Sequence, residues 1–321
     1  MDAGGLRTRF FTTALLSLAL SFAPLAITSI ADALSHVSGP LHVYRMYRAL
    51  YASASGATLS MAGAIMQASL RNPLVDHYVL GIGSGALLAS YSIVIAMGYD
   101  AAMVVAAAVL GGLAALALTS FIAGRLSGTD VAFVLSGIAV NSLLSGLSIA
   151  LSYYAVVKYS YASLLLLGTF AAARPSLLPY SSIPLALLVA GYALFARRLN
   201  ALMVGDDFSA QLGVNPRATR LAAVLLAGSA ASVVVGLFGI IGFLGLVVPH
   251  LARLVLGISD NRLVIPLAGG IGALASWSAD AVGRLIASPT VGELPAGALI
   301  SAVGAPIFVA LLLRRFRGAA R

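Results

Sequence analysis

Long apolar runs alternate with short polar breaks along this chain, and the runs share one length. Stretches of about 20 residues, nearly free of charge, recur at 10–30, 49–70, 78–97, 101–123, 131–156, 177–196, 221–238, 240–256, 263–286 and 294–313. Runs of that length cross the roughly 30 Å hydrocarbon layer as helices, whereas a β-barrel would show short alternating segments. The pattern predicts about ten transmembrane helices in one all-α domain covering residues 1–321.

One polar break stands apart, residues 197–220 with the sequence RRLNALMVGDDFSAQLGVNPRATR. It is longer than a connection between two helices requires, so it carries structure of its own. Leu199, Leu202 and Met203 fall at helical spacing, and Gly205 stops that turn. Asp206 and Asp207 then stand where the positive start of a second helix favours acids. Phe208, Leu212 and Gly213-Val214-Asn215-Pro216 complete it. Two short helices on a membrane surface are expected, forming a place where another protein pushes; the plain alternative is a solvated loop.

Composition sharpens the picture. The chain is 60% hydrophobic and 9% charged, against about a quarter charged in soluble domains, which makes it an integral membrane protein. The net charge of +9 does not indicate nucleic acid, because the basic residues are scattered at helix ends without a basic stripe or stacking aromatics. It indicates topology. With the amino terminus inside, only Arg45, Arg48, Lys158, Arg174 and Arg284 fall outside. That is the asymmetry of the positive-inside rule, and an even number of spans returns the carboxyl terminus to the cytoplasm. Ala31-Asp32-Ala33 resembles a signal cleavage site, but the run before it exceeds the roughly 7–15 residues of a signal core, so an uncleaved first helix is expected. The segment 158–175 is too short to cross and return. It is either a half-length helix lining a pathway or an interfacial segment anchored by Tyr159 and Tyr161.

Candidate chemistry is sparse. There is no cysteine, and His36, His42, His77 and His250 form no ligand pair, so no metal site is expected. A G-x-x-x-x-G-K-[ST] phosphate loop cannot occur, because Lys158 is the only lysine. No nucleophile, base or metal cluster converges at one depth, which disfavours a membrane enzyme. An ion-driven secondary transporter would keep ionisable groups near the midplane, yet Asp280 is the only acid well inside a span and lies towards an end. The small residues Ser53, Ser55, Gly56, Ser60 and Gly63, with Gly269, Gly270 and Gly272, are packing faces that permit close backbone approach.

Three stretches are more specific. The first is Gly63-Ala64-Ile65-Met66-Gln67, Arg71-Asn72-Pro73-Leu74 and 80–86, LGIGSGA. The second is 239–253, GIIGFLGLVVPHLAR, closed by Asp260-Asn261-Arg262. The third is Asp280-Ala281-Val282-Gly283-Arg284, Glu293-Leu294-Pro295-Ala296-Gly297 and Gly304-Ala305-Pro306. With the 197–220 loop, these resemble the FecCD family of permeases, the membrane subunits of type II ABC importers for ferric siderophores, haem and vitamin B12.

The resemblance implies a ten-helix subunit of the cell membrane that pairs with a second copy around a shared pathway. Two ATP-binding cassette subunits would hold the ATP and magnesium, and this chain would bind no cofactor. The loop Leu199, Leu202, Met203, Gly205, Asp206, Asp207, Phe208, Ser209, Gln211 and Gly213 resembles the coupling helices that seat on the ATPase. Arg45, Arg48 and Arg284 match arginines that receive glutamates from an extracytoplasmic binding protein, although the usual Leu-Pro-Arg reads Met46-Tyr47-Arg48 here. Arg284 equally suits a structural pair with Asp280 or Glu293. Asn72, Pro73 and Leu74 resemble an inner gate, and Ser127, Gly128 and Thr129 its second element. Ser136, Asn141, Ser142 and Ser145 on the fifth helix would line the pathway, with Tyr153 and Tyr154 at its mouth. The implied cargo is a metal chelate, with an oxyanion such as molybdate as the alternative.

Overall fold

The structure is a computed structural model and describes residues 3–126, 130–159, 167–288 and 292–319. It is all-helical. In chain order the helices are α1 (Ala3–Leu34), α2 (Pro40–Ser69), α3 (Ile82–Met97), α4 (Ala101–Leu126), α5 (Asp130–Lys158), α6 (Leu178–Val204), α7 (Asp206–Gln211), α8 (Pro216–Phe238), α9 (Leu244–Leu256), α10 (Asn261–Leu285) and α11 (Ala296–Ala319). Short α7 aside, each falls on one of the ten expected spans. Six described helices are long and apolar enough to cross a membrane: α1, α4, α5, α6, α8 and α10.

The second helix is not among those six, for a physical reason. It is rich in serine, threonine and glycine, and nearly every residue from Arg48 to Ser69 is buried. Helices α1, α6, α8, α9 and α10 surround it, so its neighbours are protein rather than lipid and its surface need not be oily. Close approach is set by glycine. A β-carbon on Gly56 would run into the carbonyl of Gly272 on α10, and one on Gly63 would run into Gly245 on α9. Such backbone contact supplies the packing that a hydrophobic drive cannot supply within lipid. Gln67 fastens the same helix to α9: its Nε2 donates to the carbonyls of Gly245 (3.1 Å) and Leu246 (3.2 Å), and its Oε1 accepts from Arg253 (2.7 Å).

Several boundaries differ from the sequence expectation. Helix α2 begins at Pro40, nine residues before the apolar run, so Arg45 and Arg48 lie within its first turns rather than ahead of it. Helix α3 starts at Ile82 rather than Tyr78. Asp76 captures the Tyr78 and Val79 amides at 2.9 and 2.8 Å, which holds the chain in turns until Gly81, at φ 78°, admits the helix. Helix α9 starts at Leu244 rather than 240, after Gly239 and Phe243 at positive φ. The short helix expected at 199–203 is the uninterrupted end of α6, and α7 alone is separate. Of the 158–175 segment, Tyr161 lies outside the described residues. The part that follows is pinned, Thr169 N donating to Phe238 O (3.0 Å) and Gly297 N to Gly168 O (2.8 Å).

Candidate functional site

At the arginine-rich end of the bundle, cytoplasmic by the positive-inside rule, α7 follows α6 after the extended Gly205. Asp206 and Asp207 occupy its first turn, and Ser209 is buried with its hydroxyl on the Asp206 carbonyl at 2.8 Å. Gly213, at φ 76°, reverses the chain, and the Asn215 side chain caps α8 by accepting from Ala218 N. Leu199 and Leu202 are wholly buried. They hold α6 in the bundle and contribute nothing to a surface patch, so neither presents the seating surface that the resemblance implies for it. The patch is built instead from Val204 (68% exposed), Leu212 (60%) and Phe208 (44%), with Met203 at its edge. Asp207, Gln211 and Gly213 are exposed beside it.

A bridge of charge runs from α7 into the bundle. Arg220 of α8 donates from Nη2 to Asp206 (2.8 Å) and from Nε to the carbonyl of Ser69, the last residue of α2 (3.0 Å). Arg71 adds a looser pair with Asp206 at 3.4 Å. One side chain thus joins α7, α8 and the end of α2. Three residues after Ser69 begin Asn72, Pro73 and Leu74, a turn closed by Leu74 N donating to Asn72 Oδ1 at 2.9 Å. Ser127, Gly128 and Thr129 lie outside the described residues. Nearby, Asp260 caps α10. Burial pushes its carboxyl up, and hydrogen bonds from Arg262 and Asn200 more than reverse this, holding it below the ordinary carboxylate range.

Along α5, Ser136 is buried, and its neighbour Gly137 abuts the Val79 carbonyl before α3. Ser145 is half-buried, whereas Ser142 is exposed with its hydroxyl on the Ile138 carbonyl at 2.8 Å. The open face therefore carries Ser142, Tyr153 (80% exposed) and Tyr154 (64%), among Leu135, Ile138 and Leu143. The buried Asn141 Oδ1 and Ser136 Oγ, with both ring nitrogens of His77, lack hydrogen-bond partners among the described residues.

The outer end holds the three singled-out arginines, in unlike settings. Arg48 is 1% exposed. Its guanidinium donates to Asp280 of α10 through three contacts of 2.8–3.0 Å and pairs with Glu293 at 2.6 Å. Arg284 stands 3.3 Å from the same Asp280, an ion pair by distance without hydrogen-bond geometry. Arg45 keeps a partly exposed side chain and pairs with the buried Asp32 at 2.7 Å, which also holds His42 at 2.9 Å. Arg48 is thus a buried cross-link between α2 and α10 rather than an outward-facing cation, because a guanidinium in that position must be paired. Sequence reasoning passed over Asp32, seen there only as part of a cleavage-like tripeptide, and over Arg220. An acid near the end of an apolar span was the available signal for the first; the second had none.

The model of the FecCD transport family matches residues 10–314. The chain is 36% identical over 307 residues to the hemin transport system permease protein HmuU of Yersinia pestis, covering 93% of this chain and 90% of that protein. It is 37% identical over 281 residues to the vitamin B12 import system permease protein BtuC of Vibrio cholerae, covering 84% and 81%. Among solved structures, a metal-chelate-type ABC transporter in an inward-facing conformation superposes with a TM-score of 0.75 at 23% identity, over 95% of this chain and 98% of that one.

Proposed function

We propose, from the premise that this chain belongs to the FecCD transport family and is the multi-pass permease of an ABC importer, that it carries a metal chelate of the haem, cobalamin or ferric-siderophore type into the cytoplasm. It is a transport component rather than an enzyme, and ATP with its magnesium belongs to a separate subunit. The cargo class rests on relatives that carry haem and vitamin B12.

The observation that carries this reading is the pairing of an unsatisfied apolar patch with a charged bridge. Val204, Phe208 and Leu212 are exposed at the cytoplasmic end of α6 and along α7, and an apolar surface of this kind marks a site that a partner covers. The partner is the ATP-binding subunit. Closure of two such subunits pushes α7, and Arg220 passes that displacement from Asp206 to Ser69 at the end of α2, three residues before Asn72. The turn at 72–74 is the inner gate, and the open face of α5 meets a second copy around the pathway. On the outer side, Arg45 retains exposure and is the docking cation for a binding protein. Arg48 and Arg284, gathered on Asp280, brace the helices beneath it.

Changing Phe208 and Leu212 to Glu tests the coupling surface. The double variant is expected to migrate as a folded dimer yet fail to co-purify with the ATP-binding subunit. Full retention of that subunit with normal ATPase stimulation would place the contact elsewhere.

A further inference from the structure

A cavity of about 450 Å³ opens between α1, α2, α6 and α10. It begins at Phe10 and Arg262, at the cytoplasmic ends of α1 and α10, and reaches Leu25 and Ala273. At 1.5 Å of rise per residue these intervals are about 17–23 Å long, somewhat more than half of the hydrocarbon layer. The groove therefore opens at the cytoplasmic side and runs past the midplane, its far end reaching Leu50 and Ser53 of α2. The helices cannot close it with their own side chains, because its walls include Ala14, Ala54, Ala57, Gly269, Gly270 and Ala273. Nor can α1 move inward, since the Ser17 backbone already sits against Gly270 and its hydroxyl donates to the Pro266 carbonyl. Pro266 has no N–H for the carbonyl of Arg262, and Tyr192 Oη donates there instead at 2.8 Å. That leaves even the tyrosine in the wall satisfied, so water entering the groove finds few polar partners.

We propose that this groove holds one acyl chain of an anionic phospholipid from the cytoplasmic leaflet, with the phosphate at Arg262 and Arg9. An acyl chain fills apolar space that neither side chains nor water can fill. The mouth selects the headgroup. Asp260 engages Nε and Nη2 of Arg262, leaving Nη1 without a partner among the described residues. Arg9, next to Phe10, is exposed and makes no ion pair among the described residues. Basic pockets between helices on the cytoplasmic side are where anionic lipid headgroups bind.

The test uses the full chain in its complex with the ATP-binding subunit, extensively delipidated. Native mass spectrometry then follows added phosphatidylglycerol, phosphatidylcholine or glycerol 3-phosphate, with a diazirine-bearing acyl chain to map contacts. The expected result is one retained phosphatidylglycerol per chain, preferred at least tenfold over phosphatidylcholine, not displaced by glycerol 3-phosphate, and cross-linked to α1, α2, α6 or α10. Ala14→Phe with Ser21→Phe, which fills the groove, abolishes the adduct. Arg262→Gln with Asp260→Asn keeps an acyl adduct and loses the preference, and it stands in if the filled variant does not fold. Equal retention of phosphatidylcholine by the wild-type complex, an adduct that survives filling, or labelling away from α1, α2, α6 and α10 would each overturn the proposal.

Discussion

Replacing Asp280 by Asn isolates the ion cluster that joins α2 to α10. Arg48 is 1% exposed and takes three of its closest contacts from Asp280, and Arg284 lies against the same carboxylate. Removing one partner of a buried pair costs about 3–5 kcal/mol, because the remaining charge is left uncompensated. Glu293, 40% exposed, keeps one contact with Arg48 but recovers little, since pairs open to solvent contribute about 0–1 kcal/mol. The expected loss is therefore about 2–5 kcal/mol. Arg48→Met with Asp280→Leu removes both charges and should cost far less, because an apolar pair of similar volume replaces a desolvated ion pair at little or no cost. Reversible unfolding in mixed micelles, followed by circular dichroism, gives both numbers. A single variant within about 0.5 kcal/mol of wild type, or a double variant as damaging as the single, would refute the assignment of Arg48 as a buried cross-link.

The remaining predictions address the two ends of the molecule and its centre. Arg45→Glu should weaken binding-protein association several-fold in a manner that fades with added salt, as surface plasmon resonance would register; unchanged affinity would remove Arg45 from the docking surface. Arg220→Gln breaks the bridge between Asp206 and the Ser69 carbonyl. It should leave the ATP-binding subunit attached and hydrolysing while lowering the cargo moved per ATP, whereas an unaltered ratio would mean the displacement travels another way. Gly63→Val forces a branched side chain into the Gly245 backbone. It should cost about 1–3 kcal/mol or more, so a normal melting temperature would contradict the described crossing.

The element pattern was legible because each helix must satisfy its backbone internally, and lipid fixes its length at about 20 residues. What hydropathy could not foresee was where protein replaces lipid. Helix α2 extends past its apolar run to Pro40, with proline in its first turn and with His42 and Arg45 tied to Asp32 of α1. Similarly, Tyr78 looked helical until Asp76 took the Tyr78 and Val79 amides. At the cytoplasmic loop the spacing of Leu199 and Leu202 correctly announced a helical turn. It did not disclose that α6 would carry both residues inward, leaving Val204, Phe208 and Leu212 as the exposed surface. The outer arginines show the same limit. Asp280 and Glu293 were visible as nearby acids, but Arg48 reaches Asp280 across 232 positions, a contact that no local pattern encodes.

The central claim is tested most directly by ATP-dependent uptake in proteoliposomes that contain this chain with its ATP-binding subunit and binding protein. Haem, cobalamin and a ferric siderophore are offered separately, with molybdate as the oxyanion control. The account predicts accumulation of one chelate that ceases without ATP or without either partner, and no accumulation of molybdate. Uptake driven by an ion gradient without ATP, or uptake of molybdate alone, would contradict it.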